Sequence, residues 1–378
     1  MSASISCSDP KALALYERRK RRFFVRGVSF ALASGACYGL YTAFLTLAES
    51  QGVWGAWFSG GAWGDGAAPL SAFTVTFALA ALAAGLNDLA SGIWALAVCA
   101  KNGQLGDLCK TVRSKPGVAM TACAVIGGPL ASIAYIVALN ASTAAGNPGM
   151  IVPVAALNCA IGAVLGRILF KQDLAAHKVA GIAVCLVAAA LIGGASMSAM
   201  GSEAVLGCGF ALLAAFGWGF EGCVAGFGTA LIDYRIGIAI RQTTAGLLEL
   251  LVMFPVLAAV GDGIGSIPQL AGAALSDPVL LVFLVSGFFA MPAYSFWYKG
   301  NSMCGTALGM ACNGTYAFWG PFFIWVLMGL LNVGGLAADY PPLSPVQWIG
   351  ALVMVGGIFL IALNPIDSAR KRKEVCDD

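Results

Sequence analysis

The chain has 378 residues, of which 59% are hydrophobic and only 10% charged, with a formal net charge of +3 and a mean hydropathy of +0.85. Too little polar surface remains to cover a soluble domain, so the composition excludes a soluble enzyme and implies an integral membrane protein. No nucleic-acid partner is expected.

Crossing about 30 Å of hydrocarbon as helix takes roughly 20 residues. Ten apolar stretches of that order follow one another, at 24–49, 71–100, 117–140, 145–169, 177–198, 204–231, 236–260, 278–299, 303–331 and 346–365. The expected fold class is therefore an all-α membrane protein of ten transmembrane helices. Residues 1–23 form a basic N-terminal segment and 366–378 a basic tail, flanking a first five-helix half over 24–198 and a second over 199–365. The apolar stretch behind the YERRKRRFF run is far longer than the apolar region of a cleavable signal and reads as the first span. Its basic run is expected to contact anionic lipid headgroups, each worth about 1 kcal/mol.

The connections after spans 1, 3, 5, 7 and 9 contain no Lys or Arg, whereas the 21 basic residues all fall on the other side, with Arg26 and Arg241 just inside span ends. By the positive-inside rule that side is the cytoplasm and holds both termini, as in a multi-pass protein of a bacterial cytoplasmic membrane. A wrong span count would scatter these charges over both faces.

Along the chain, span 1 carries Tyr38 and Tyr41 and closes on Glu49, expected as a wet terminus. The outer loop at 51–69 holds Trp54, Trp57 and Trp63, which read as an interfacial aromatic belt or an external lid. Asp88 lies in span 2, Trp218, Phe220 and Glu221 in span 6, and Glu249 in span 7. Span 8 brings Tyr294, Trp297 and Tyr298, and span 9 brings Asn313, Tyr316 and Trp319. GACYG (Gly35 to Gly39) and GAVLG (Gly162 to Gly166) are small-residue patterns for close helix packing, the second a candidate homodimer face. Twelve cysteines without a CxxC, beside a single histidine, give no disulfide framework and no metal site, and no cofactor is expected.

The chain also repeats itself. FALASGACYGLYTAF in span 1 superposes on FALLAAFGWGFEGCV in span 6 with a shift of 180, setting Tyr38 opposite Trp218 and Tyr41 opposite Glu221. AGLNDL in span 2 matches AGLLEL in span 7 with a shift of 161, pairing Asp88 with Glu249, and the insertion at 51–69 accounts for the difference. The same shift pairs Asn140 with Asn301. Five spans per half is an odd number, so the second copy enters the membrane inverted. Inverted halves are the architecture of alternating-access carriers, with the substrate site near the midplane.

IVPVAALNCAIGAVLGRILFKQDLAAHKVAGIAVCLVAAALIGG resembles the end of an EamA-type half in the drug/metabolite transporter superfamily, with a proline-containing span, a short polar turn and a Gly-rich closing span. GPFFIWVLMGLL and SPVQWIGALVMVGGIFLIALNP echo it in the second half, and the inserted loops 51–69 and 332–345 depart from it. The resemblance implies a central cavity between the halves with spans 5 and 10 more peripheral. It leaves the substrate open among amino acids, sugars, nucleotide derivatives, polyamines and organic cations. The related four-span small multidrug resistance proteins carry an essential carboxylate in the span that corresponds to span 1 or 6 here.

Ionisable groups inside a membrane are costly and persist where they face a cavity, a partner or a pathway. Glu221, Asp88 and Glu249 are thus candidates for binding a cation and for proton coupling, with no Lys or Arg expected at their depth. Tyr38, Tyr41, Trp218, Tyr294, Trp297, Tyr298, Tyr316 and Trp319 offer aromatic faces for an ammonium group, and Asn313 a hydrogen bond. Neighbours on a helix point about 100° apart, so at most two or three rings of YSFWY can share a cavity. The expected function is secondary-active transport of a cationic or zwitterionic small molecule, choline-like or another amine, with a proton as a candidate partner. Export of amino acids or other small metabolites is the alternative within carriers, and a channel or receptor the alternative outside them. No phosphate-binding loop and no nucleophile-base pair point to ATP use or to an enzyme.

Overall fold

In the computed structural model, residues 10–62, 69–144, 154–194, 202–228 and 232–362 are described. Trp63, the side chain of Asn140 and the terminal ARKRK run lie outside them. The described chain is helical, with one isolated bridge between Ala62 and Pro69.

α1 runs over Pro10–Glu49 and the short α2 over Gly52–Phe58. α3 (Leu79–Lys101), α4 (Leu105–Val112), α5 (Lys115–Val125), α6 (Ala131–Ala144), α7 (Asn158–Phe170) and α8 (Ala176–Gly194) complete the first half of the chain. In the second half come α9 (Ser202–Cys223), α10 (Tyr234–Leu248), α11 (Phe254–Asp262), α12 (Ser266–Ser276), α13 (Leu280–Cys304), α14 (Thr306–Asn313), α15 (Tyr316–Ile324) and α16 (Pro345–Ala362). Among the described residues, seven helical stretches are long and apolar enough to cross a membrane, and Asn158–Phe170 and Ala176–Ile192 are apolar but shorter. The protein is a multi-pass, all-helical membrane protein.

Local chemistry fixes several boundaries. The Ser114 hydroxyl accepts the Gly117 N–H at 3.2 Å to cap α5, whose first turn also carries Pro116, where a missing N–H costs nothing. Asp233 caps α10 by accepting from the Arg235 N–H at 2.8 Å. Among the described residues, five wide π-helical turns interrupt the helices. One, Ile126–Leu130, contains Pro129 and joins α5 to α6, while Glu249–Met253 joins α10 to α11 just ahead of Pro255. Such turns loosen the backbone ladder and recur at functional positions.

The helices pair as α1 with α13, α6 with α9, α3 with α10, and α8 with α16, while α7 packs on α9 and α14. Glycines permit the closest approaches: a Cβ on Gly39 would come 2.5 Å from that of Trp319, and one on Gly300 would come 2.8 Å from that of Ala31. The outward apolar face is broad, with Leu251, Val260, Leu281, Leu352 and Phe359 each about two-thirds exposed or more, as a lipid-facing surface requires. Polar residues gather instead in the interior, where Asp88, Glu221, Arg241, Gln242 and Glu249 are all buried.

One feature differs from the sequence reading. Trp54 and Trp57 are buried rather than placed as an interfacial belt, with Trp54 packed on Phe283 at 5.0 Å. α2 is held there by Asp277, whose carboxylate accepts the Val53 N–H at 2.8 Å, because a short amphipathic insertion buries its indoles most cheaply against the neighbouring helix ends. Gly162 and Gly166 are also buried within the chain, Gly162 against Met310 and Gly219, so the glycines of GAVLG serve packing within the chain.

Candidate functional site

Arg241 organises the interior. It lies on α10 with no exposed side-chain surface and donates from Nε to Glu221 Oε1 at 2.8 Å and from Nη1 to Asp88 Oδ2 at 2.6 Å. Nη1 also bonds the Gln242 side-chain oxygen, and Nη2 reaches the Gly127 carbonyl at 2.9 Å and Glu221 Oε2 at 3.4 Å. A guanidinium has five N–H donors in a fixed fork, and all five are engaged here. Its plane also lies over the Tyr294 ring, 4.2 Å from the centroid.

This corrects the expectation that no Lys or Arg shares the depth of the acids. Arg241 belongs with the buried groups and not with the basic residues at span ends. The physical reason is compensation: buried carboxylates are tolerated when a hydrogen-bonded opposite charge meets them. A signal for it was present, since Arg241, Ala245 and Glu249 recur every four residues and so share one face of the helix.

The partners are fixed from several elements. Glu221 is fully buried on α9 and also accepts from the Tyr298 hydroxyl on α13. Gln242 donates to Ser91 Oγ at 2.6 Å, tying α10 to α3. Asn87 accepts from Ser286 Oγ at 2.7 Å, and that hydroxyl also stands 3.0 Å from the Tyr41 carbonyl. The wide turn at Ile126–Leu130 presents the Gly127 carbonyl to Trp218 Nε1 at 3.1 Å and Ser132 Oγ at 3.1 Å as well as to Arg241. Gly127 and Gly128, which sequence reasoning passed over, permit close approaches: a Cβ on Gly127 would overlap Glu221 Oε2, and one on Gly128 would overlap that of Ala245 on α10, with Glu249 Oε1 in ordinary contact at 3.5 Å. Gly127→Ala is therefore expected to cost about 1–3 kcal/mol by overpacking. A lowered thermal midpoint in detergent checks this, and an unchanged midpoint refutes the close approach.

Glu249 differs from the other two acids. It is fully buried, and among the described residues neither carboxyl oxygen has a hydrogen-bond partner.

Beside the cluster runs a cavity whose empty space, open mouth included, is about 490 Å³. α1 lines it with Tyr41, Thr42, Leu45, Thr46 and Glu49, and α3 with Ala84, Asn87 and Asp88. Ser132, Tyr135 and Ile136 of α6 face it, together with Trp218 and Tyr294. Among the described residues, its carboxylates are Asp88 and Glu49, and no Lys or Arg lines it. Glu49 is thus part of a cavity wall, with Oε1 buried and unpartnered, rather than the wet terminus expected from its place at the end of α1. Tyr135 and Ser132 were not singled out from the sequence, since a lone tyrosine in an apolar span carries no spacing signal.

The aromatic expectations divide. Tyr38 meets Trp218 at 6.0 Å and packs at a tilt on Tyr41 and Tyr316, each at 4.5 Å. Tyr135 lies 5.0 Å from Trp218, and Tyr41 stacks with Tyr294 at 6.3 Å. Of YSFWY, Tyr294 reaches the cavity, Tyr298 reaches Glu221, and Phe296 turns away to Phe30 at 5.3 Å. Trp297 is buried behind the cluster against Gly222. Trp319 stays with Phe322 and Phe323 beside Gly39, and Asn313 spends its amide on Ser34 Oγ at 2.7 Å, so neither joins the site. They lie on either side of the break at Gly314 and Thr315, Asn313 closing α14 and Trp319 on α15.

No protein-family model and no curated protein matches the chain. Among solved structures, one described only as "Crystal structure of protein" superposes with a TM-score of 0.58 at 18% identity, over 88% of this chain and 96% of that one. At that identity the likeness shows a shared fold across nearly the whole of both chains.

Proposed function

We propose that the chain is a secondary-active transporter of the drug/metabolite type, with ten spans in two inverted five-helix halves, working by alternating access in a cell membrane. The helix pairing supports this reading, because exchanging spans 1 with 6 and 3 with 8 converts the α1–α13 pair into α9–α6 while leaving α3–α10 and α8–α16 paired with themselves. Such two-fold equivalence is what an inverted duplication produces.

The cargo is an organic cation or the ammonium end of a zwitterion. One observation carries this: the cavity is walled by Tyr41, Tyr135, Tyr294 and Trp218, ends on Asp88, passes Glu49, and bears no basic side chain. Aromatic faces with a carboxylate behind them recognise ammonium groups, each desolvated face contributing up to about 2 kcal/mol. Glu49 lies toward the end of α1 that leads into the loop free of Lys and Arg, where it would gather cations at the mouth. Arg241 favours a second reading, in which an amino acid places its ammonium on Asp88 and its carboxylate on the guanidinium. A channel fits less well, since the fully engaged Arg241 cluster closes the interior.

Counterflow in proteoliposomes tests the proposal. Labelled choline or tetraethylammonium is expected to accumulate transiently against unlabelled cation, with amino acids as the second set of probes. Flux that never saturates and shows no counterflow would identify a channel, and counterflow confined to anions would overturn the site assignment.

A further inference from the structure

Three carboxyl groups surround one guanidinium, and the donors run out before the acids do. Glu221 and Asp88 take three of the five N–H bonds of Arg241, and Gln242 and the Gly127 carbonyl take the rest. Glu249 receives none, although it is fully buried. An ionised carboxylate without a donor in so apolar a place carries the full penalty of desolvation, whereas a neutral carboxyl carries little of it.

Glu249 and the guanidinium border the same peptide unit of the wide turn. Arg241 Nη2 rests on the Gly127 carbonyl at 2.9 Å, and Glu249 Oε1 sits 3.5 Å from where a Cβ of Gly128 would be. The elements packed on Glu249 contribute few charges: α3 brings Asp88, α10 brings Arg241, the turn Ile126–Leu130 brings none, and Asp262 at the far end of α11 is committed to the Ser71 N–H at 3.2 Å.

We propose that Glu249 is the proton-binding site of the protein, neutral while Arg241 holds Asp88 and ionised when Arg241 turns to it. This rests on reading Asp88 as the cation site. A cation entering the cavity takes Asp88 and releases Nη1. The freed guanidinium swings along the Gly127–Gly128 peptide to Glu249, whose O–H bond breaks and whose proton leaves through the cavity beside Ala84, the neighbour of Gly85 on which Glu249 packs. One positive charge enters the cluster and one leaves, so its net charge is unchanged. Arg241 is then the element that makes cation and proton exclude one another without sharing a carboxylate.

Infrared difference spectroscopy on the full chain in lipid tests this without a substrate. Wild type at neutral pH is expected to show a neutral-carboxyl C=O absorption that Glu249→Gln lacks, a substitution that trades one uncharged group for another and so preserves folding. In Asp88→Asn the guanidinium is released and the same absorption should vanish. Equal absorption in wild type and Glu249→Gln, or its persistence in Asp88→Asn, overturns the proposal. Calorimetry with tetraethylammonium in buffers of different ionisation enthalpy should give one proton released per cation by wild type and none by Glu249→Gln; equal release by both also overturns it. If tetraethylammonium does not bind wild type, the cation reading of Asp88 fails, and the infrared comparison still decides the state of Glu249.

Discussion

Arg241→Met is expected to lose about 3–5 kcal/mol of stability, enough to abolish a monodisperse folded protein in mild detergent. Methionine fills much of the same volume, so the loss is electrostatic: Glu221, with no exposed surface, and Asp88, almost as deeply buried, would remain without their counter-charge. The Gly127 carbonyl would keep its Trp218 and Ser132 donors, and Gln242 its bond to Ser91, so the backbone and amide partners suffer less than the acids. The triple variant Arg241→Met, Asp88→Asn, Glu221→Gln should recover most of the loss, because a buried charge network replaced as a unit is often close to neutral in stability. Thermal unfolding followed by size-exclusion chromatography measures both. If the single variant melts like wild type, the pairing contributes no stability. If the triple variant is no better than the single one, packing rather than charge explains the defect.

How much of this was readable in the sequence depends on what kind of signal each residue emits. An apolar stretch declares itself through composition, so the all-helical membrane class followed directly, as did the three acids, whose cost in hydrocarbon makes any one of them conspicuous. Tyr38 and Trp218 were picked out as aromatic rings of two spans, and their contact at 6.0 Å is a matter of packing that their alignment does not imply. Arg241 escaped because a basic residue six positions into a span also fits a side chain reaching back to the headgroups. Choosing between those readings takes the register of α10 against α3 and α9, which only the packing supplies. Gly127 and Gly128 escaped for the opposite reason, since glycines are abundant in the chain and nothing local marks the pair whose missing Cβ atoms admit the Glu221 carboxylate and Ala245. The indoles of α2 were legible as a cluster and not as buried anchors, because burial against Phe283 is a contact across more than two hundred residues of sequence.

Asp88→Asn should weaken the apparent affinity for a transported cation by about 2 kcal/mol or more, roughly thirty-fold, while leaving a folded protein. Folding survives because Glu221 continues to meet Nε and Nη2, while the Nη1 that Asp88 held is released to turn toward Glu249. Affinity falls because Asp88 is the acid at which the cavity meets the buried cluster, and an amide offers an entering ammonium no charge to balance its desolvation. Glu49→Gln makes the contrast. That residue lines the cavity from the end of α1, where attraction acts on encounter more than on the bound state, so a change of only a few-fold is expected, and it should shrink as salt is added. Concentration dependence of counterflow for the two variants at low and high ionic strength separates these roles. Equal effects at Asp88 and Glu49 would place the binding energy at the mouth of the cavity, and an unaffected Asp88→Asn would remove the cation site from α3 altogether.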